Sequence, residues 1–258
     1  MASTALADIM LRAVIFDMDD TLLDWSAHTV DWHELRRMHL QPIYEHLRAA
    51  GYRLPDLNEV AALYHEHNNR AWASAAPPEW IAPRQINVLR SALSALELDP
   101  DALDLDHLQH LFGWGLIPGV QAFPDAEEVL KTVRAAGLRT GLVTNASSPM
   151  WMRDRELEAL GLLPLLDARV TAGDVGHLKP HPRPFQAVLE QLSISADEAV
   201  FVGDRLQEDI FGAQAAGIRA VWIRRDPHAS PDTLKPHAIV DCLFDLLSIL
   251  DIWYPGWR

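Results

Sequence analysis

Val14-Ile15-Phe16-Asp17-Met18-Asp19-Asp20-Thr21-Leu22 is the stretch whose reading decides the fold. A run of β-forming apolar residues ends in two aspartates one residue apart, then a third aspartate and a threonine. Carboxylates a few ångströms apart raise one another's pKa, and a buried unpaired charge costs several kcal/mol. A surface turn has no need of aspartate at both positions. The economical reading is a divalent cation held at a strand end, with one carboxylate left as nucleophile. The rest of the chain must then supply further ligands and a positive group for an anionic substrate.

The 258 residues suffice for one large domain or two modest ones, and 49% hydrophobic with 22% charged is an ordinary globular composition. The formal charge of −14 is spread along the chain. It argues against a nucleic acid polymer as partner, which wants a basic face, and leaves room for a small anion in a locally positive pocket. The single Cys242 cannot form an intramolecular disulfide, which suits a cytoplasmic location. No apolar run of about 18 residues is present, so no membrane span is expected. Residues 1–9 lack the basic and apolar regions of a secretion signal and read as a disordered extension.

Downstream of a first strand at about 12–16, the pattern to about residue 116 is helical. Ile86, Leu89, Leu93 and Leu96 form one stripe. Leu35, Met38, Ile43 and Leu47 form another, expected to break or kink at Pro42, and further helices are expected near 57–75 and 104–112. From Ile117 on, strands alternate with helices. Asp125 with Glu128 reads as a capping box before Val129, Leu130 and Val133. Strands are expected at 139–144, 168–171, 199–202, 220–223 and 238–240, with helices around Phe185–Leu192 and at 207–216. This is a parallel α/β sheet with a helical bundle inserted after its first strand.

Ligands of such sheets gather beyond the carboxyl ends of the strands. The polar residues there are Asp17 and Asp19, Thr144 and Asn145, Lys179 in the loop after the third strand, and Gly203 with Asp204. A nucleophile, a hydroxyl, an amide, a cation and further carboxylates suit phosphoryl transfer, where positioning and charge neutralisation carry most of the catalysis. Each has a plainer reading. Asp17 and Asp19 also fit a capped turn, and Lys179 a solvated loop lysine, although the chain has only three lysines against nineteen arginines. Asp209 suits the first turn of any helix, with Glu208 beside it as a substitute. The segment 25–116 holds eight of the twelve histidines, among them His65, His67, His107 and His110. Without a completing carboxylate or cysteine pattern they read mostly as surface or interface residues rather than a metal site. Trp25 and Trp151 are candidates for a leaving-group pocket, with core packing the plainer use.

Asp17-x-Asp19-x-Thr21, Thr144-Asn145, Lys179-Pro180 and Gly203-Asp204-x4-Asp209, in this order and at strand ends, resemble the four motifs of the haloacid dehalogenase-like (HAD) hydrolases. The resemblance spans residues 12 to about 223 and is nearest the branch with phosphoglycolate phosphatase-like and nucleotidase-like enzymes. It implies a Rossmann-like α/β core over 10–24 and 117–258, and a helical C1-type cap over 25–116. It implies Asp17 as nucleophile forming an aspartyl-phosphate, and Asp19 as general acid and then base. Mg²⁺ would be held by Asp17, the Asp19 backbone carbonyl and Asp204, with Asp209 as ligand or support. Thr144, Asn145 and Lys179 would bind the phosphoryl group of a small phosphorylated metabolite. Dehalogenases of this family carry no acid at the place of Asp19, since halide displacement leaves no alkoxide to protonate, so aspartate there points to phosphate esters. A phosphoryl-transferring mutase and a catalytically silent binding protein are the alternatives. The identity of the phosphomonoester and the oligomeric state stay open.

Overall fold

The structure, a computed structural model, describes residues 10–226 and 234–258; the extension expected over 1–9 lies outside the described residues. The chain runs β1 (Ala13–Phe16), β2 (Leu23–Asp24), then four helices, α1 (Trp32–Ala49), α2 (Leu57–Ala73), α3 (Gln85–Ala95) and α4 (Leu105–Leu111). After β3 (Gln121–Ala122) come α5 (Ala126–Ala135), β4 (Arg139–Thr144), α6 (Met150–Ala159), β5 (Ala168–Thr171), α7 (Ala172–Val175) and α8 (Pro182–Leu192). Strand β6 (Ala199–Gly203), α9 (Gly212–Ala215), β7 (Arg219–Ile223), β8 (Ala238–Val240) and α10 (Leu243–Trp253) complete it.

Six strands form one parallel sheet in the order β5-β4-β1-β6-β7-β8. Strands covered on both faces read as unbroken apolar runs, and β1 and β6 are buried throughout. Successive side chains serve opposite faces. Val14, Phe16, Val200 and Val202 join the cluster beneath α5 and α10, whereas Ala13, Ile15, Ala199 and Phe201 join the one beneath α8. The chain leaves β1 toward β4 and β5, then crosses to β6, β7 and β8 on the other side. That reversal opens a crevice at the carboxyl end of β1, beside Asp17.

The four helices between β2 and β3 pack around a further cluster, built on Leu40, Ile43, Leu47, Tyr64, Leu89, Leu93 and Phe112, which Met152 of α6 joins. Main-chain hydrogen bonds clip this block to the sheet's loops: Ala82 N–H to the Gly176 carbonyl (3.0 Å), Leu178 N–H to Trp80 (2.7 Å) and Gln85 N–H to Ser147 (2.9 Å). A two-stranded antiparallel ribbon of β2 and β3, absent from the sequence reading, joins the two crossings between block and sheet.

Three expectations are corrected. Helix α1 runs through Pro42 rather than breaking. A proline deprives the carbonyls one turn before it of normal donors, and here the His39 carbonyl accepts from Gly113 N–H at 2.8 Å. His39 is itself no surface residue. It is buried against Phe112 and Trp114, and burial pulls its pKa down to about 4. Asp125, finally, makes no capping bond to its own helix. Its buried carboxylate accepts instead from Leu243 N–H (2.7 Å) and Phe244 N–H (3.4 Å), capping α10 from across the fold. Asp125→Ala is therefore expected to cost about 1–2 kcal/mol in chemical denaturation, while Glu128→Ala, at an exposed site, changes stability little. A local capping box would make the two losses similar.

Candidate active site

Asp17 follows β1 directly, its N–H bonded to the Val202 carbonyl of β6 at 2.8 Å. The next residues make a tight loop. Asp20 adopts φ of 59°, a left-handed conformation that aspartate tolerates, and its N–H bonds the Leu23 carbonyl at 2.7 Å. Arg225 reaches across to hold the carbonyls of Asp20 (2.6 Å) and Thr21 (2.8 Å). Asp20 is thus a turn residue of the loop that aims Asp17 and Asp19.

Lys179 is nearly inaccessible and has all three ammonium donors engaged, on Asp17 Oδ1 (2.5 Å), Asp209 Oδ1 (2.6 Å) and the Val143 carbonyl (2.9 Å). Burial opposes its charge, but Asp17 and Asp209 outweigh it and hold the pKa above the usual lysine value. Asn145 fixes the lysine by its backbone: Lys179 N–H donates to Oδ1 at 2.7 Å, and Nδ2 donates to the Lys179 carbonyl at 3.0 Å. The Asn145 side chain thus places Lys179 and keeps a second Nδ2 hydrogen.

The segment after β6, expected as an ordinary helix over 207–216, begins with a π-helical stretch at Leu206–Phe211, a winding frequent at functional sites. It carries Asp209 back over Gly203, where a Cβ would meet the Asp209 carboxyl carbon at 2.5 Å. Only glycine permits that approach. The other oxygen of Asp209, Oδ2, accepts from Arg205 N–H at 3.0 Å, so the carboxylate faces Lys179 with both oxygens engaged. Among the described residues, Asp17, Asp204 and Asp209 place carboxylate oxygens within 4.8 Å of one another. Burial, with the other carboxylates adding to it against Lys179, raises Asp17 well above the usual carboxylate value. Burial, then Asp209 and Asp20, push Asp204 up to about 7. Three hard oxygen donors facing one ammonium leave excess negative charge, and this set suits Mg²⁺.

Asp19 points elsewhere. Its Oδ1 accepts from Arg153 Nη2 (2.6 Å) and Trp25 Nε1 (2.9 Å), and Thr144 Oγ1 lies 3.4 Å from Oδ2. Arg153 is buried on α6, with Nε 2.8 Å from Glu156 Oε2, which also accepts from Trp114 Nε1 at 3.0 Å. Burial, against the pull of Arg153, pushes Glu156 up to about 7. Trp25 and Trp114 stand at the two crossings into the helical block, so both crossings reach the Asp19 carboxylate, one directly and one through Glu156 and Arg153. Sequence reasoning missed Arg153 and Glu156. On a helix charged at 153, 154, 155, 156 and 158, an i,i+3 Arg–Glu pair looks like solvent-facing surface.

Asp17, Asp19, Thr144, Asn145 and Lys179 floor a cavity of about 330 Å³, walled by Trp72, Trp80 and Leu178 and rimmed by Arg205 and Glu208. The tryptophans over the site are thus Trp72 and Trp80. Trp151 instead stacks on His110 with ring centroids 4.4 Å apart, and Trp25 serves Asp19.

Known proteins resemble this chain in sequence and in fold. A phosphoserine phosphatase of Thermus thermophilus is 30% identical over 239 residues, covering 86% of this chain and 94% of that protein. A glyceraldehyde 3-phosphate phosphatase of Methanopyrus kandleri is 30% identical over 239 residues, covering 92% and 94%. Among solved structures, a HAD phosphatase from Thermococcus onnurineus superposes with a TM-score of 0.57 at 26% identity, over 93% of this chain and 98% of that one. A 2-haloacid dehalogenase from Pseudomonas syringae superposes at 0.62, also at 26% identity, over 95% and 100%. The family model for haloacid dehalogenase-like hydrolases matches residues 11–217, from the start of β1 through the π-helical turn that carries Asp209. By sequence and by fold, this chain belongs to the haloacid dehalogenase-like hydrolases.

Proposed function

We propose that the chain is a Mg²⁺-dependent phosphatase that hydrolyses a small phosphomonoester through an aspartyl-phosphate on Asp17. The observation that carries this reading is the convergence of Asp17, Lys179, Asp204 and Asp209 beneath one cavity. A Asp17 carboxylate oxygen attacks phosphorus, the bond to the leaving oxygen breaks, and the alkoxide takes a proton from Asp19. Asp19 then takes a proton from water, which attacks the same phosphorus. The phosphorus–Asp17 bond breaks and inorganic phosphate leaves. Arg153 and Trp25 share Oδ1 of Asp19 and, among the described residues, Thr144 alone holds Oδ2, so Oδ2 is the oxygen that exchanges the proton.

Mg²⁺ bound by Asp17, Asp204 and the Asp19 carbonyl would neutralise charge between an anionic nucleophile and an anionic ester. Asp209 would support that charge and orient Lys179. Lys179, by exchanging its bond to Asp17, and Thr144 receive the phosphoryl oxygens, with Asn145 fixing the lysine. An acid at Asp19 separates this reading from the dehalogenases that share the fold, because only an ester leaves an alkoxide to protonate. Residues 25–116 act as a cap over the core of 10–24 and 117–258, excluding water during the first step. Chelation of divalent cations is expected to lower phosphomonoesterase activity by about 10³-fold, with recovery on adding Mg²⁺. A rate indifferent to chelator overturns the metal assignment.

A further inference from the structure

We infer that the site is built for a leaving group carrying a flat, uncharged ring, received by Trp72 and Trp80. This deepens the phosphatase reading and rests on it.

The floor of the cavity is polar and suits the phosphoryl group. The lining also has an apolar part. Trp72, in the last turn of α2, and Trp80, in the loop before α3, stand there with Leu178, packed against Ala82 and Ala172. Indole faces favour another flat ring, beyond the area they bury. The rim groups, Arg205 and Glu208, carry opposite charges three residues apart on one turn, so the rim has no net sign. A leaving group with a single free charge gains from one and loses to the other. The volume, about 330 Å³, lies at the small end of ligand pockets and accommodates a phosphoryl group with one ring rather than a dinucleotide.

Trp80 adds a second, independent observation. Its φ is 50°, a left-handed conformation unusual for a bulky residue. The backbone is held there by the Trp80 N–H bond to Ala76 (3.1 Å) and by Leu178 N–H on the Trp80 carbonyl (2.7 Å). Both bonds are main-chain, so the clip makes no use of the indole, and glycine would adopt this φ without strain. What tryptophan adds is the wall of the cavity. Strain of this kind persists where the surrounding structure imposes it and gathers at ligand sites.

Benzyl phosphate and ethyl phosphate test the inference, since both release a primary alkoxide and differ in the ring. With the wild-type protein and Mg²⁺, kcat/KM for benzyl phosphate is expected to exceed that for ethyl phosphate by about thirtyfold, the worth of one buried ring. Trp80→Gly relieves the backbone strain and keeps the clip. It is expected to lower benzyl phosphate turnover about tenfold more than ethyl phosphate turnover, chiefly through KM. Equal rates on the two esters, or a ring preference unchanged in both Trp80→Gly and Trp72→Ala, overturn the inference while leaving the phosphatase reading intact. Titration with benzylphosphonate, measured by isothermal titration calorimetry, separates the two claims. Saturable binding that is lost in Trp80→Gly upholds the ring site even where no ester is turned over, a result that would reject the hydrolytic reading. Absence of both binding and turnover rejects both.

Discussion

Asp17→Asn is expected to abolish turnover of phosphomonoesters, by on the order of 10⁴-fold or more, and at the same time to raise the melting temperature in metal-free buffer. The loss follows from removing the attacking oxygen. The gain follows from burial. Asp17 is 6% exposed, and desolvation, with Asp209 and Asp204 adding to it, raises its pKa well above 3.8 despite Lys179. Between the unfolded value and that raised value the native state binds a proton that the unfolded chain has released, so stability falls as pH rises through the window. Asparagine has no proton to lose. The variant's advantage should therefore be absent in acid and grow as pH rises from about 4 toward neutrality, reaching a few degrees in scanning calorimetry. A variant that is inactive and less stable at neutral pH would place Asp17 in a structural ion pair rather than at a nucleophile's post.

Lys179→Met is expected to carry the largest stability loss. The ammonium is the shared partner of two buried carboxylates, Asp17 at 2.5 Å and Asp209 at 2.6 Å. Removing one member of a buried ion pair costs about 3–5 kcal/mol, because the charges left behind are desolvated and unpaired. In a protein of this size that lowers the melting temperature by about 10 °C. Adding Asp209→Asn to Lys179→Met should restore part of the loss, with a coupling above about 1 kcal/mol in a double-mutant cycle. Additive losses in that cycle would mean that Lys179 stabilises the fold through its stem and its bond to the Val143 carbonyl. Activity should be lost in both variants, since the phosphoryl group then meets no cation at the floor of the site.

The sheet was legible in the sequence because strands buried on both faces leave unbroken apolar runs, as in Ala199–Val202. The residues at their carboxyl ends were legible for the same reason: the fold dictates where they converge. The partners of those residues were not. Nothing in the sequence distinguishes Arg153 and Glu156 from a solvated helical pair, since burial of a charge leaves no mark on the pattern of apolar residues. Asp125 is followed by Glu128 and looks locally capped, yet its acceptor serves α10, 118 residues away. The ribbon of β2 and β3 has two residues per strand, too few for any alternation to show. The strained backbone of Trp80, similarly, is set by a contact to Leu178 that no local spacing encodes.

The main-chain clip between the helical block and the loops around Lys179 also bears on kinetics. Swinging the block away from the sheet releases the bonds of Ala82 to Gly176, Leu178 to Trp80 and Gln85 to Ser147. At about 1 kcal/mol net each, they contribute about 3 kcal/mol toward the closed arrangement, beside the Trp25–Asp19 and Trp114–Glu156 bonds and the packing of Met152. Under the proposed cap motion, an incoming ester meets the open fraction alone, and its apparent affinity is lowered in proportion. On the same proposal, departing phosphate waits on that opening. Because Leu178 precedes Lys179, loosening the clip to speed release also loosens the cation that the chemistry needs, so turnover and the grip on phosphate are bound to a single hydrogen-bonded seam.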